Sequence, residues 1–515
     1  MTLFRRKQVL IPVVVLLSAA VLLYGSLYSI DLFTSGTGQG YFAYTSDRIT
    51  DAVGSLSGLF AAVLGILITV VAIIVQLSAE RYTHVTQMFF RDRTNLGVLG
   101  FYVLACICGV FNSFAIHATW VPKVALTAMI GLAAVSFAMM APYFAYVFDF
   151  LQPENIIGRI RGAALAATRE RDQAQALSSM EEMTDIVINS ISGKDKMIAI
   201  AGVDGIKDFA CTYIAEKRLA PEDWFSVGPG IRKNPDFVSM APVSIDDMER
   251  RHTWLEWKAL RQYQAIYAEA LKDMKDVTYV ICIDTRYIGE AAIAAGDAQA
   301  LAVCSKFFNT YLRATLNARD IRTAYNLLHQ YRGLAEAMLK AGWHDQATDV
   351  ARYIKYYAHV GFALGLGFVT ETAAYDLCTL CELAATLRSP AEGTMLHEFL
   401  EIDQPGNEPE DSTETHLRGV RKAQVKLATY YLVNRQEEKA RRIFDDMHDE
   451  RPERLRSIYE ELKGVTTEDF WEVIDRGTNF DYLPEDRKKA MRIFFGWFPK
   501  LSAAFTAPAS EVASS

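Results

Sequence analysis

The stretch Val70–Arg93, VVAIIVQLSAERYTHVTQMFFRDR, runs six apolar residues into Glu80, Arg81 and His84, then into Arg91-Asp92-Arg93. From Leu96 the chain is apolar again. A hydrophobic segment that breaks on charges, carries a Phe89-Phe90 pair and then resumes reads as the elbow between two membrane-crossing helices. That reading decides the fold.

Four apolar runs fill residues 1–150: Val9–Ile30, Val53–Leu77, Leu96–Ile116 and Val124–Phe148. Each reaches the ~20 residues a helix needs to cross ~30 Å of hydrocarbon. No Asp, Glu, Lys or Arg interrupts any of them. Arg5-Arg6-Lys7 before the first run would suit a secretory signal, but the run is long for one and Tyr24–Ser29 is a poor cleavage site, which favours an uncleaved anchor. Orientation follows from the short loops. Arg5, Arg6, Lys7, Arg81, Arg91 and Arg93 lie on one side, against Arg48 and Lys123 on the other. The N-terminus, the elbow and everything after Phe148 are therefore expected in the cytoplasm.

Within the elbow, Tyr82, Val85, Met88 and Phe89 recur at helical spacing, while Glu80, Arg81, His84 and Arg91 take other faces. This fits a short amphipathic helix in the headgroup layer. A span helix continuing into the cytoplasm fits equally. The stretch also resembles a box of bacterial membrane proteins known only as domain of unknown function 2254. Gln76, Leu77, Tyr82 and Arg91-Asp92 match it in kind over residues 55–100, and the resemblance extends to a four-span plan. It implies no activity.

The chain of 515 residues carries a net charge of −8, which argues against a general nucleic-acid binder. Beyond Phe148 the pattern is helical nearly throughout. Helices are expected near 178–191, 195–217 and 245–274, and Val277–Ile283 reads as a buried helix start rather than a strand. Residues 221–242 read as a long ordered loop, residues 401–414 as an acidic break, and residues 501–515 as a disordered tail. In 426–452 the residues Leu427, Ala428, Tyr431, Ala440, Phe444 and Pro452 fall on the spacing of a tetratricopeptide repeat. A weaker copy spans 331–351, with Tyr331, Leu334, Ala335, Gly342 and Ala347. Any antiparallel pair of Ala-rich helices could meet these positions.

No constellation of residues carries chemistry. Cys378-x-x-Cys381 falls inside a helical run rather than at a helix N-terminus, where a low thiol pKa would need it. His397-Glu398-x-x-Glu401 has no second such motif. Gly361, Gly365 and Gly367 lack the Lys-Ser/Thr of a phosphate cradle. No catalytic residue, cofactor or metal ligand is expected, and no enzyme. The second run instead carries small residues every three to four positions: Gly54, Gly58, Ala61, Gly65, Ala72 and then Gln76. Such a stripe lets helix backbones approach or lines a pore.

The sequence thus predicts an all-α chain: a four-helix transmembrane bundle (1–150), a cytoplasmic helical domain (151–310), and a tetratricopeptide-like solenoid (311–500). The expected partners are the lipid bilayer, a protein bound by the cytoplasmic domain, and other copies of the chain. The expected role is a membrane-tethered adaptor or sensor, with a homo-oligomeric channel lined by the second run as the alternative.

Overall fold

A computed structural model describes residues 46–79, 85–115, 123–403, 410–470, 476–477 and 479–499. Among these residues the chain is helical, without strands, and it forms two compact units, residues 1–160 and 161–515.

In the first unit, α1 (Ser46–Ala79), α2 (Val85–Arg91), α3 (Arg93–Ala115) and α4 (Lys123–Phe150) form the described helices. Val53 and Phe60 of α1, Ala105 of α3, and Met129 and Ala133 of α4 make a shared core. Gly109 permits the close approach: a Cβ there would lie 2.8 Å from Ser57 Oγ and 3.2 Å from Met129 Cε. Asp51–Gln76, Arg93–Phe111 and Thr127–Phe150 are long and apolar enough to cross a membrane. Ile66, Ile68, Ile73, Leu104 and Phe111 are exposed on them. Such a belt is costly in water and favourable against lipid tails. The expected first span, Val9–Ile30, lies outside the described residues, as does the tail 501–515.

The second unit continues from α5 (Pro153–Glu170). It contains α6 (Gln173–Ser192), α7 (Lys196–Glu216), α8 (Pro229–Arg232), α9 (Pro242–Arg250), α10 (Trp254–Asp273), α11 (Lys275–Ala295) and α12 (Ala298–Asn317). It goes on through α13 (Ile321–Lys340), α14 (His344–Ala363), α15 (Gly367–Thr386), α16 (Glu392–Leu400), α17 (Glu410–Val433), α18 (Glu437–Met447), α19 (Pro452–Gly464) and α20 (Glu485–Gly496). The packing is two-layered. One row runs α7, α11, α13, α15, α17, α20, each helix against the next, and the other runs α6, α10, α12, α14, α16. The boundary expected at residue 310 falls inside α12, so the chain does not divide there.

Two helix expectations change. The single helix read over 245–274 breaks between Arg250 and Trp254, because the insert 221–242 captures this point. Trp254 donates its indole N–H to the Trp224 carbonyl at 3.0 Å, and His252 stacks on Phe225 with ring centres 4.2 Å apart. Burying two tryptophans outweighs helix continuity. The acidic break read over 401–414 is shorter, since α17 already begins at Glu410. Val277–Ile283 lies in α11, as read.

A local rule sets the connections. Many of these helices end on one left-handed residue followed at once by the N-cap of the next helix. The left-handed position is filled by Gly296, Gly342 and Gly365, but also by Arg171, Lys194, Arg319, Arg388 and Arg435. Asp172, Asp195, Asp297 and Asp320 cap the helices that follow through their carboxylates. A side-chain-bearing residue in this conformation costs ~1–2 kcal/mol. Arg319→Gly should therefore raise stability by about 0.5–1 kcal/mol, while Gly342→Ala should lower it by about 1 kcal/mol. Thermal melting of the two variants checks the rule, and shifts of the same sign would refute it.

Candidate functional site

The end of the bundle where α1 stops, α3 begins and α4 stops is closed by a polar buckle. Asp92 precedes α3, and its Oδ1 accepts hydrogen bonds from the backbone N–H of Thr94 (3.0 Å) and Asn95 (3.1 Å). The Tyr146 hydroxyl, from the last turn of α4, donates to the same oxygen. Arg159 reaches Oδ2 at 3.3 Å and lays its guanidinium 3.7 Å over the Phe150 ring. Asn95 is fully buried: its amide donates to the Phe89 carbonyl at 3.1 Å, and its oxygen accepts from Tyr143. Phe89 closes the layer edge-on to Phe150 at 5.3 Å.

Burial alone would raise the Asp92 pKa. The Tyr146 hydrogen bond, the cap bonds and the Arg159 charge outweigh it and hold the carboxyl below its usual value. Asp92 is therefore an ionised, half-buried anchor held by protein donors rather than a proton donor. Its depressed pKa contributes stability above the normal carboxylate range, lost as pH falls through the folded value.

Of the elbow residues, Arg91 and Arg93 are exposed and Asp92 is the anchor, whereas Glu80, Arg81 and His84 lie outside the described residues. The small-residue stripe does not pack within the described bundle. Val53, Phe60, Val63, Leu67, Val71 and Val75 fill the inward face of α1, and Gly54, Gly58, Ala61, Gly65, Ala72 and Gln76 are exposed. Apart from the immediate chain neighbours and the helix's own backbone, no described atom lies within 4 Å of a Cβ built at Gly54, Gly58 or Gly65.

In the helical unit Leu427, Ala428, Tyr431 and Ala440 are buried between α17 and α18, with Phe444 and Pro452 half-buried. Cys378 and Cys381 are buried in the middle of α15, where burial pushes both thiols up, away from reactivity. Gly361 takes up the Val369 side chain, and Gly365 turns the chain at φ +71°. His397 pairs with Glu401 at 3.1 Å on an exposed face. Among the described residues no group of three or more His, Cys, Asp or Glu could hold a metal.

Residues 5–196 match the family described as Predicted membrane protein (DUF2254). The matched region takes in the apolar runs, the elbow and the whole buckle, so the likeness reaches well beyond residues 55–100. No curated protein matches the chain. A solved circular tandem repeat protein, described as having novel repeat topology and enhanced subunit contact surfaces, aligns over 80% of this chain and 98% of its own. Its sequence identity is 14% and its TM-score 0.31, too low to inform the reading.

Among the titratable groups of the helical unit whose pKa values are displaced are a histidine and a carboxylate. Among Arg476, Arg332 and Arg286, His329 is pushed down to about 4, first by burial. Asp284, on α11, is pushed up to about 7, first by burial and then by Asp204, against the opposing pull of Lys207. Tyr263 donates to it at 3.1 Å and the residue is buried, so the displacement bears on stability.

Two predictions follow from these carboxylates. Asp92→Ala should destabilise the bundle by about 1–3 kcal/mol and Asp92→Asn by less, because Asn keeps an acceptor for the cap. Denaturant unfolding in detergent micelles reads both, and an unchanged Asp92→Ala would remove the buckle from the account. Because the folded pKa of Asp284 lies above the unfolded one, its contribution is present below about pH 4 and lost as pH rises towards 7. Asp284→Asn should therefore stabilise by about 2 kcal/mol more at pH 8 than at pH 5; a pH-independent effect would mean the carboxyl ionises normally.

Proposed function

We propose that this chain is a multi-pass inner-membrane protein of bacterial type, a tethered adaptor or sensor rather than an enzyme. Its amino terminus and its helical unit both lie in the cytoplasm. The single observation that carries the reading is the union of lipid-type apolar helices with a two-row helical stack. In such a stack one row of helices offers a continuous face to an extended partner, as tetratricopeptide-like solenoids do. The first apolar run, Val9–Ile30, supplies the fourth span in this reading, and the exposed arginines Arg91 and Arg93 face anionic headgroups.

A second reading is favoured by the outward stripe on α1. In lipid no hydrophobic drive holds helices together, so a face of small residues is best used in close helix contact. We assign it to contact between copies of the chain, with a pore lined by the stripe as the alternative. The purified protein in liposomes should pass no ions. Gly58→Leu should abolish cross-linked oligomers in membranes. Ion flux from the wild type, with oligomers retained and flux reduced in the variant, would overturn the adaptor in favour of the channel.

A further inference from the structure

A non-helical stretch near the carboxyl end, residues 476–477 and 479–483, makes contacts across the row α13–α15–α17 like those of a bound peptide. The Arg476 side chain is buried, its guanidinium on Asp376 of α15, donating to the Tyr325 carbonyl of α13 at 2.7 Å and lying 4.3 Å over the Tyr325 ring. Phe480 stacks on Tyr375 with ring centres 4.6 Å apart and planes 11° apart. Asp481 accepts from the Tyr375 hydroxyl at 2.5 Å and pairs with Lys422 of α17 at 2.8 Å. Lys426 donates to the Phe480 carbonyl at 2.9 Å. A basic side chain, an aromatic ring, a carboxylate and a backbone oxygen are thus each held, with Tyr375 serving both the ring and the carboxylate.

The groove does not need this occupant for its own charge balance. Without Arg476, Asp376 keeps Arg332 at 3.0 Å. Without Asp481, Lys422 keeps Glu461 at 3.2 Å and Glu371 at 3.7 Å. Removing the segment therefore leaves neither Asp376 nor Lys422 as an uncompensated buried charge, the usual penalty for breaking an internal pair. The helix after the segment is anchored independently, Arg487 of α20 pairing with Glu382 at 2.7 Å.

We propose that Arg476, Phe480 and Asp481 form an intramolecular ligand. They occupy the groove that receives a protein partner presenting a basic residue and, four positions later, an aromatic–carboxylate pair. This rests on the adaptor reading and names the partner's chemistry. A tethered segment acts at an effective concentration of about millimolar, so a free peptide of equal contacts competes poorly while the segment is intact.

The test uses the full chain in detergent micelles and a fluorescent peptide of residues 476–482. Wild type should show no saturable binding below about 1 mM. A chain carrying Phe480→Ala and Asp481→Ala should bind the peptide at least tenfold more tightly, and adding Lys422→Ala should reverse the gain. If the double variant loses helicity by circular dichroism, Asp481→Asn alone replaces it. A folded variant that binds no better than wild type overturns the proposal, as does equal binding to both. Because ion flux is not read here, failure of the groove and failure of the adaptor reading are distinguishable.

Discussion

A carboxylate packed at the end of apolar helices stays ionised only if protein groups replace the water it gives up, and Asp92 meets that condition from three elements. The start of α3 supplies backbone N–H groups, α4 supplies Tyr146, and the following segment supplies Arg159. Beyond this buckle, Val53 and Phe60 of α1, Ala105 of α3, and Met129 and Ala133 of α4 pack in a shared apolar core. The buckle's hydroxyl and amide partners hold the rotation of α4 against α3, together with the Tyr102 hydroxyl that donates to the Ser136 carbonyl at 2.7 Å. Chains that enter and leave a membrane at such a point need this kind of layer, where each polar group is satisfied before the lipid begins.

The helical unit follows a different logic. Its rows are held by stacked aromatics such as Tyr267 on Tyr311 and Phe308 on Tyr331, both pairs at 4.7 Å. Charges that fall inside are bound in networks. The fully buried Lys258 pairs with the more exposed Glu181 and Asp236, and Lys217 is held by Glu256 and Asp297. Such networks add little net stability but penalise any other register, because a slipped helix would leave a charge unpaired.

Much of this was legible in the sequence. Runs of apolar residues longer than a bilayer announce spans, and helical periodicity with few β-branched stretches announces the all-helical interior. The mid-helix position of Cys378 and Cys381 was enough to read them as core. The buckle was not legible, because Asn95 and Asp92 meet Tyr143 and Tyr146 across about fifty residues, and polar residues at the ends of apolar runs give no sign of their partners. The facing of α1 was hidden too: both its small and its large apolar residues recur at helical spacing, and only packing decides that Phe60 and Leu67 turn inward. The connections escaped because Arg319 and Arg435 fill left-handed positions where sequence reasoning looks for glycine. The contact of Arg476 with Asp376 bridges 100 residues and carries no local signal.

The central claim, a helical unit tethered on the cytoplasmic side of a membrane, is tested most directly by reporters of compartment fused along the chain. Fusions after Gly40 and Val121 should report an extracytoplasmic position, and fusions after Thr94 and Arg161 a cytoplasmic one. The basis is the excess of Lys and Arg on the elbow side of the spans. A cytoplasmic signal after Gly40, or an extracytoplasmic one after Arg161, would contradict it.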